Sequence, residues 1–131
     1  MPFECPQCQV KNSLQILTTL ELGPAAGADE TMIQLTECSH CEFQALAIYQ
    51  ESRGGALEGE AFSHQGYPLA KEQFQLLTDL FRVCPDGFKR MCGCQAHQEL
   101  ARHAALQDWV AFSQKNPFTM KLAPRSGHHA P

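Results

Sequence analysis

The amino-acid sequence predicts an α+β fold, a small three-stranded antiparallel sheet followed by two helices. Three observations carry this expectation. Period-two apolar runs separated by a Gly/Pro-rich turn fill residues 14–50. Apolar residues then recur at helical spacing over residues 69–82, and again from about Gln95 to Ser113. Seven cysteines stand in short-spaced groups beside these blocks. At 131 residues the chain suffices for one domain, or for two small modules sharing a core. With 44% hydrophobic and 18% charged residues it has a globular composition, not a disordered one.

The first block, residues 1–50, begins and ends its long hairpin with cysteine pairs. "CPQC" (Cys5, Cys8) and "CSHC" (Cys38, Cys41) are two C-x-x-C turns with 29 residues between them. Each offers two thiolates at a spacing that suits two corners of a tetrahedron around a zinc ion. The interval between them is longer than the usual 15–20 residues. Its content accounts for the excess. "SLQILTTLEL" alternates Leu14, Ile16, Thr18, Leu20 and Leu22, the signature of a half-buried strand. "GPAAGADE" reads as a turn, "TMIQLTE" as a second strand and "FQALAIYQ" as a third. The extra length is therefore a long hairpin and not a missing ligand.

Knuckle, hairpin, knuckle and third strand, over roughly residues 3–50, resemble a zinc ribbon. The resemblance implies a structural site of Cys5, Cys8, Cys38 and Cys41, and a nucleic-acid or protein partner. Ribbon knuckles often carry Gly just after the second cysteine, where this chain has Gln9 and Glu42. The same four thiolates also suit a rubredoxin-type iron site, since ligand type alone does not choose the metal. Four thiolates leave no open position for a substrate water. His40, inside the second knuckle, is read as exposed and not as a fifth ligand.

Residues 51–68 read as a connecting loop with four glycines, tucked over the ribbon. This stretch gathers Arg53, Glu58, Glu60, His64 and Tyr67. Glu60 and His64 form a conceivable acid/base pair, but no nucleophile or phosphate-cradling pattern accompanies them. His64 is also the outside candidate to complete a second metal site.

Residues 69–114 form the helical part. Phe74, Leu77, Leu80 and Phe81 share one face of the first helix, with Leu76 beside it. That helix should stop before "VCPDG", because the residue preceding Pro85 disfavours helix. Ala96, Leu100, Ala104 and Ala111 recur along the second, widened by Trp109 and Phe112. Between them stand Cys84, Cys92, Cys94 and His97, a C-x7-C-x-C-x2-H cluster. Gly93 lets the backbone fold tightly, and His97 is reachable from Cys94 across the first helical turn. A helix start also favours thiolates through its free amides and dipole. The cluster reads as a second closed site of three thiolates and one imidazole, giving two Zn²⁺ per chain. His103 is read as a surface or core histidine.

Two alternatives stay open at this point. Cys92 and Cys94, near Lys89 and Arg90, suit a redox-active or metal-handling pair with depressed thiol pKa values. A hydrolytic zinc water would need a base from Glu60, His64 or Glu99. The short spacings, and the odd number of cysteines, argue for metal ligation over a disulfide framework.

Residues 115–131 read as a flexible tail, in which His128 and His129 are at most weak metal scavengers. The N-terminus lacks a basic start and an apolar signal core, so a cytoplasmic chain is expected. No apolar run approaches the roughly 20 residues of a membrane helix. Charge is uneven, with 2 Lys/Arg against 9 Asp/Glu in residues 1–70 and 8 against 5 in residues 71–131. Seven thiolates around two zinc ions would lower the net charge of −4 further. Such a chain is a poor generic phosphate binder. The local basic set Arg82, Lys89, Arg90 and Arg102 is read as a solvated helix face. The expected function is a zinc-binding, non-enzymatic interaction module, with a protein partner favoured over nucleic acid.

Overall fold

The computed structural model describes residues 2–23, 30–52, 61–88, 92–106 and 116–122. The expected α+β class holds, with strands β1 (Leu14–Leu22), β2 (Glu30–Cys38), β3 (Gln44–Ser52) and β4 (Ala61–Pro68). Helices α1 (Lys71–Arg82) and α2 (Gln95–Leu106) follow, and then the short strand β5 (Phe118–Thr119). All the strands are antiparallel neighbours in the order β1-β2-β3-β4-β5. The sheet thus has five strands where three were expected. β4 comes from the span read as a connector, and β5 from the span read as a tail. β4 is drawn in because β3 would otherwise end the sheet with unpaired main-chain groups. It pairs with β3 from Ala45↔Pro68 to Ser52↔Ala61.

β1 explains how one alternating stretch serves two faces. Its register slips between Ile16 and Thr18, where Ile16 lies opposite Thr36 and Thr18 opposite Leu35. This bulge inserts one residue, Leu17, which is 53% exposed. The insertion flips the phase. Leu14 and Ile16 pack with Phe3, Cys38, Ala47 and Met120, whereas Leu20 and Leu22 pack with Ile33, Leu35, Leu46 and Ile48. Four even-numbered residues therefore feed two separate cores.

The second of these cores carries the helices. α1 contributes Leu77 and Phe81, with Phe74 and Leu80 partly buried against them. Leu76 stays exposed. The Ala70 N–H donates to Gln73 Oε1 at the start of α1, and at its end Val83 N–H donates to Leu80 O. α2 presents Ala96, Leu100 and Ala104, all fully buried. The two alanines let the helix axis come close, and Leu100 fills the space between them. Burial of each large side chain contributes roughly 1.5–3 kcal/mol. The continuation of α2 toward Ser113, including Trp109, Ala111 and Phe112, lies outside the described residues.

The first core is closed by the chain ends. Phe3 N–H donates to Leu14 O at 2.7 Å, and Leu14 N–H donates to Phe3 O at 2.9 Å. Glu4 N–H reaches Lys121 O, and Met120 N–H reaches His64 O. With the bridge between Phe3 and Leu122, pairing runs from β1 through β5 and back to β1. At this end neither sheet edge is left open. The Phe118 ring lies directly over Gly66, where a side chain would collide with it.

Candidate metal centres

The first centre is built from two knuckles of the same design. In one, Gln9 N–H donates to Cys5 O at 2.9 Å and Cys5 N–H to Val10 O at 3.3 Å. In the other, Glu42 N–H donates to Cys38 O at 3.1 Å and Cys38 N–H to Phe43 O at 2.8 Å. Gln9 and Glu42, where ribbons often carry Gly, adopt φ of 63° and 66°. They thus take the left-handed turn that the knuckle requires, at a cost that glycine avoids. Glu42→Gly should stabilise the metal-loaded protein by about 0.5–1 kcal/mol, read from denaturant midpoints.

The knuckles bring four sulfurs together. Cys5 Sγ lies 3.6 Å from Cys41 Sγ and Cys8 Sγ lies 3.8 Å from Cys38 Sγ. All four ligand atoms fall within 4.8 Å of one another, and none is in a disulfide. A tetrahedral ion with bonds of about 2.3 Å has sulfur–sulfur edges of about 3.8 Å. The fit is good. Burial pushes the Cys5 thiol up to about 12. Burial also acts to raise Cys38, but Ser13 Oγ at 3.2 Å and the N–H groups of His40 and Cys41 at 3.3 Å outweigh it, to about 6. Sulfurs this close ionise together only around a cation. His40 is exposed, as expected.

The second centre joins the end of α1 to the start of α2. Cys84 follows the last turn, its N–H donating to Phe81 O. Cys94 stands just before α2, and its sulfur accepts the His97 N–H at 3.4 Å, so a cysteine caps the helix. Cys84, Cys92, Cys94 and His97 place their ligand atoms within 4.8 Å of one another. His97 Nδ1 lies 3.3 Å from both Cys84 Sγ and Cys94 Sγ. Burial raises the Cys84 thiol to about 11. For Cys94, burial is outweighed by the His97 N–H and ring and by its cysteine neighbours, to about 6.

The other side of the His97 ring fixes its tautomer. Nε2 lies 2.8 Å from the main-chain oxygen of Glu21 on β1. A carbonyl oxygen only accepts, so Nε2 carries a proton, and in the neutral ring Nδ1 presents its lone pair to the sulfurs. Metal-ligating histidines are oriented in this way. The donor set fits a tetrahedral ion at both centres.

His64 is not part of this cluster. It lies on β4 with Nε2 2.7 Å from Gln34 Oε1, edge-on to Phe3 and Tyr49. Gln34 alternates with Ile33 and Leu35, so this pair faces away from the helices. Burial takes the His64 pKa down to about 4. Glu99 pairs with Arg102 at 2.7 Å and is held at an exposed surface. Two of the three candidate bases for a zinc water are thus engaged elsewhere, and Glu60 lies outside the described residues. His103 is buried beside Arg102, with its Nε2 3.5 Å from the guanidinium. Arg82 lies 3.8 Å from Asp79. Lys89, Arg90, Arg53, Glu58, His128 and His129 lie outside the described residues.

Gly93 does not have the role its place suggests. Nothing lies within 4 Å of where its Cβ would stand. The close approach is at Gly87, where a Cβ would come 2.5 Å from Thr19 O. Gly87→Ala should therefore cost about 1–3 kcal/mol and weaken metal retention at the second centre. Gly93→Ala should stay within about 0.5 kcal/mol. Paired denaturation curves with metal analysis check both. Gly87, Ser13 and the Glu21 carbonyl are the supporting groups that sequence reasoning missed.

The chain matches no protein family, no curated protein and no solved structure. What it can do rests on its own geometry. Among the described residues no helix is long and apolar enough to cross a membrane.

Proposed function

We propose that both clusters bind zinc as closed structural sites, and that the chain is a cytoplasmic, non-enzymatic interaction module with a protein partner. The observation that carries the reading is the bond from His97 Nε2 to Glu21 O, which commits Nδ1 to the sulfurs of Cys84 and Cys94. With four protein ligands at each centre there is no position for a reacting water. Zinc is preferred over iron because the second set mixes imidazole with thiolate in a tetrahedral arrangement. A protein partner is preferred because residues 1–70 hold 9 Asp/Glu against 2 Lys/Arg, while Arg82 and Arg102 already have carboxylate partners.

Elemental analysis of protein purified without oxygen or chelator tests the metal part. Two zinc ions per chain are expected, and iron at the first centre would overturn the assignment there. Nucleic-acid titrations at several salt concentrations test the partner. Tight binding that weakens steeply with salt would replace the protein-partner reading. A second reading, redox or metal-handling chemistry at Cys92 and Cys94, draws on the half-exposed position of both residues. One zinc per chain, with rapid thiol labelling at both residues, would favour it.

A further inference from the structure

β1 is the first strand of the sheet, and its outer edge is covered at two points. At one end Phe3 takes both main-chain groups of Leu14. At the other end both outward groups of Glu21 are taken by the second metal centre. Glu21 N–H donates to Gly87 O at 2.6 Å, and Glu21 O accepts from His97 Nε2 at 2.8 Å. Gly87 sits against the Thr19 carbonyl with no room for a side chain. The loop after Cys84 thus runs beside β1 in the place of a missing strand.

Little besides the cluster holds that loop there. Phe88 is 68% exposed and Val83 is 50% exposed, so neither anchors it by burial. Cys84, Gly87 and Phe88 instead form one wall of a cavity of about 390 Å³, whose other wall is Ile16–Leu20 of β1. A single neutral hydrogen bond contributes little beside a metal site. His97, in contrast, is buried on α2 next to Ala96 and near Leu100, so core packing holds it independently. From Leu14 to Leu22 the strand contains neither Lys nor Pro, the residues that natural edges use as guards.

We propose that metal occupancy of the second centre governs the cover on the β1 edge. With the ion bound, Cys84 and its loop hold Gly87 on Glu21. With the ion released, the loop leaves β1, and the Glu21 amide opens to solvent while α2 and the sheet stay in place. The proposal rests on metal binding at the second centre, as argued above, and adds a consequence for the edge.

Amide hydrogen exchange, with zinc counted in the same samples, tests it. The samples are wild-type protein, wild-type protein titrated with chelator until one zinc is lost, and the Cys92→Ser variant. In the two-zinc protein the Glu21 amide should be protected. In the one-zinc forms its exchange should rise at least about a hundredfold, while Ile33 and Leu46 amides keep their protection. A Glu21 amide equally protected in the one-zinc forms overturns the proposal and leaves the second zinc site standing. Loss of protection at Ile33 and Leu46 together with Glu21 also overturns it, making the ion a support of the whole fold. A wild-type protein that holds one zinc from the outset removes the site itself, and the proposal falls with it.

Discussion

Cys38→Ser should leave the chain unfolded at 25 °C, with no dispersed amide spectrum and no ion at the first centre. Cys38 is almost fully buried at the end of β2, opposite Leu14, and its sulfur accepts two main-chain N–H groups. A structural zinc site contributes free energy of order 10 kcal/mol or more at neutral pH. A domain of this size has a total margin of about 5–15 kcal/mol. Losing the ion therefore removes most or all of that margin. The location makes the effect global, because the same core holds Phe3, Leu14 and Met120, which close the sheet on itself. Prolonged chelation of wild-type protein should produce the same spectrum. A Cys38→Ser protein that retains a native spectrum without metal would show that apolar packing alone carries the sheet.

The clusters were legible because their signals are local. Each C-x-x-C turn, and Cys92, Cys94 and His97 within six positions, needs only short-range geometry, and the β1–β2 hairpin legible between the two turns brings them together. The first three strands and the two helices were legible from periodicity. β4 was not. Its interior-facing positions include His64 and Gly66, and its exposed positions include Phe62, so the apolar alternation that marks β1 is absent. Its strand character comes from the ladder that β3 offers it. β5 is two residues long and depends on Gly66, some fifty positions earlier, leaving room for Phe118. The bulge at Leu17 was equally hidden, since an uninterrupted alternation looks the same whether or not the strand changes face. Supporting bonds from Glu21 O and Gly87 O belong to the main chain, which leaves no trace in residue identity.

His97→Ala should reduce the zinc from two per chain to one, with the first centre still loaded, and destabilise the protein by about 3–5 kcal/mol. This is less than loss of the first ion costs, because the second ion holds the loop after Cys84 on β1 and not the sheet itself. Three losses combine at one position. A ligand disappears from the second centre. Glu21 O loses its donor in a half-buried place, which costs up to about 1–3 kcal/mol. The ring leaves a gap beside Ala96 and Leu100, where neighbouring side chains relax only partly. Leu100→Ala separates ligation from packing. It should cost a similar 2–5 kcal/mol through the cavity alone, yet keep two zinc ions per chain. His97→Gln refines the comparison, since its amide can still donate to Glu21 O but offers no imidazole. It should recover part of the stability lost in His97→Ala and none of the zinc. Equal zinc content in all three variants would show that His97 is a core histidine bonded to β1, and that three thiolates hold the ion without it.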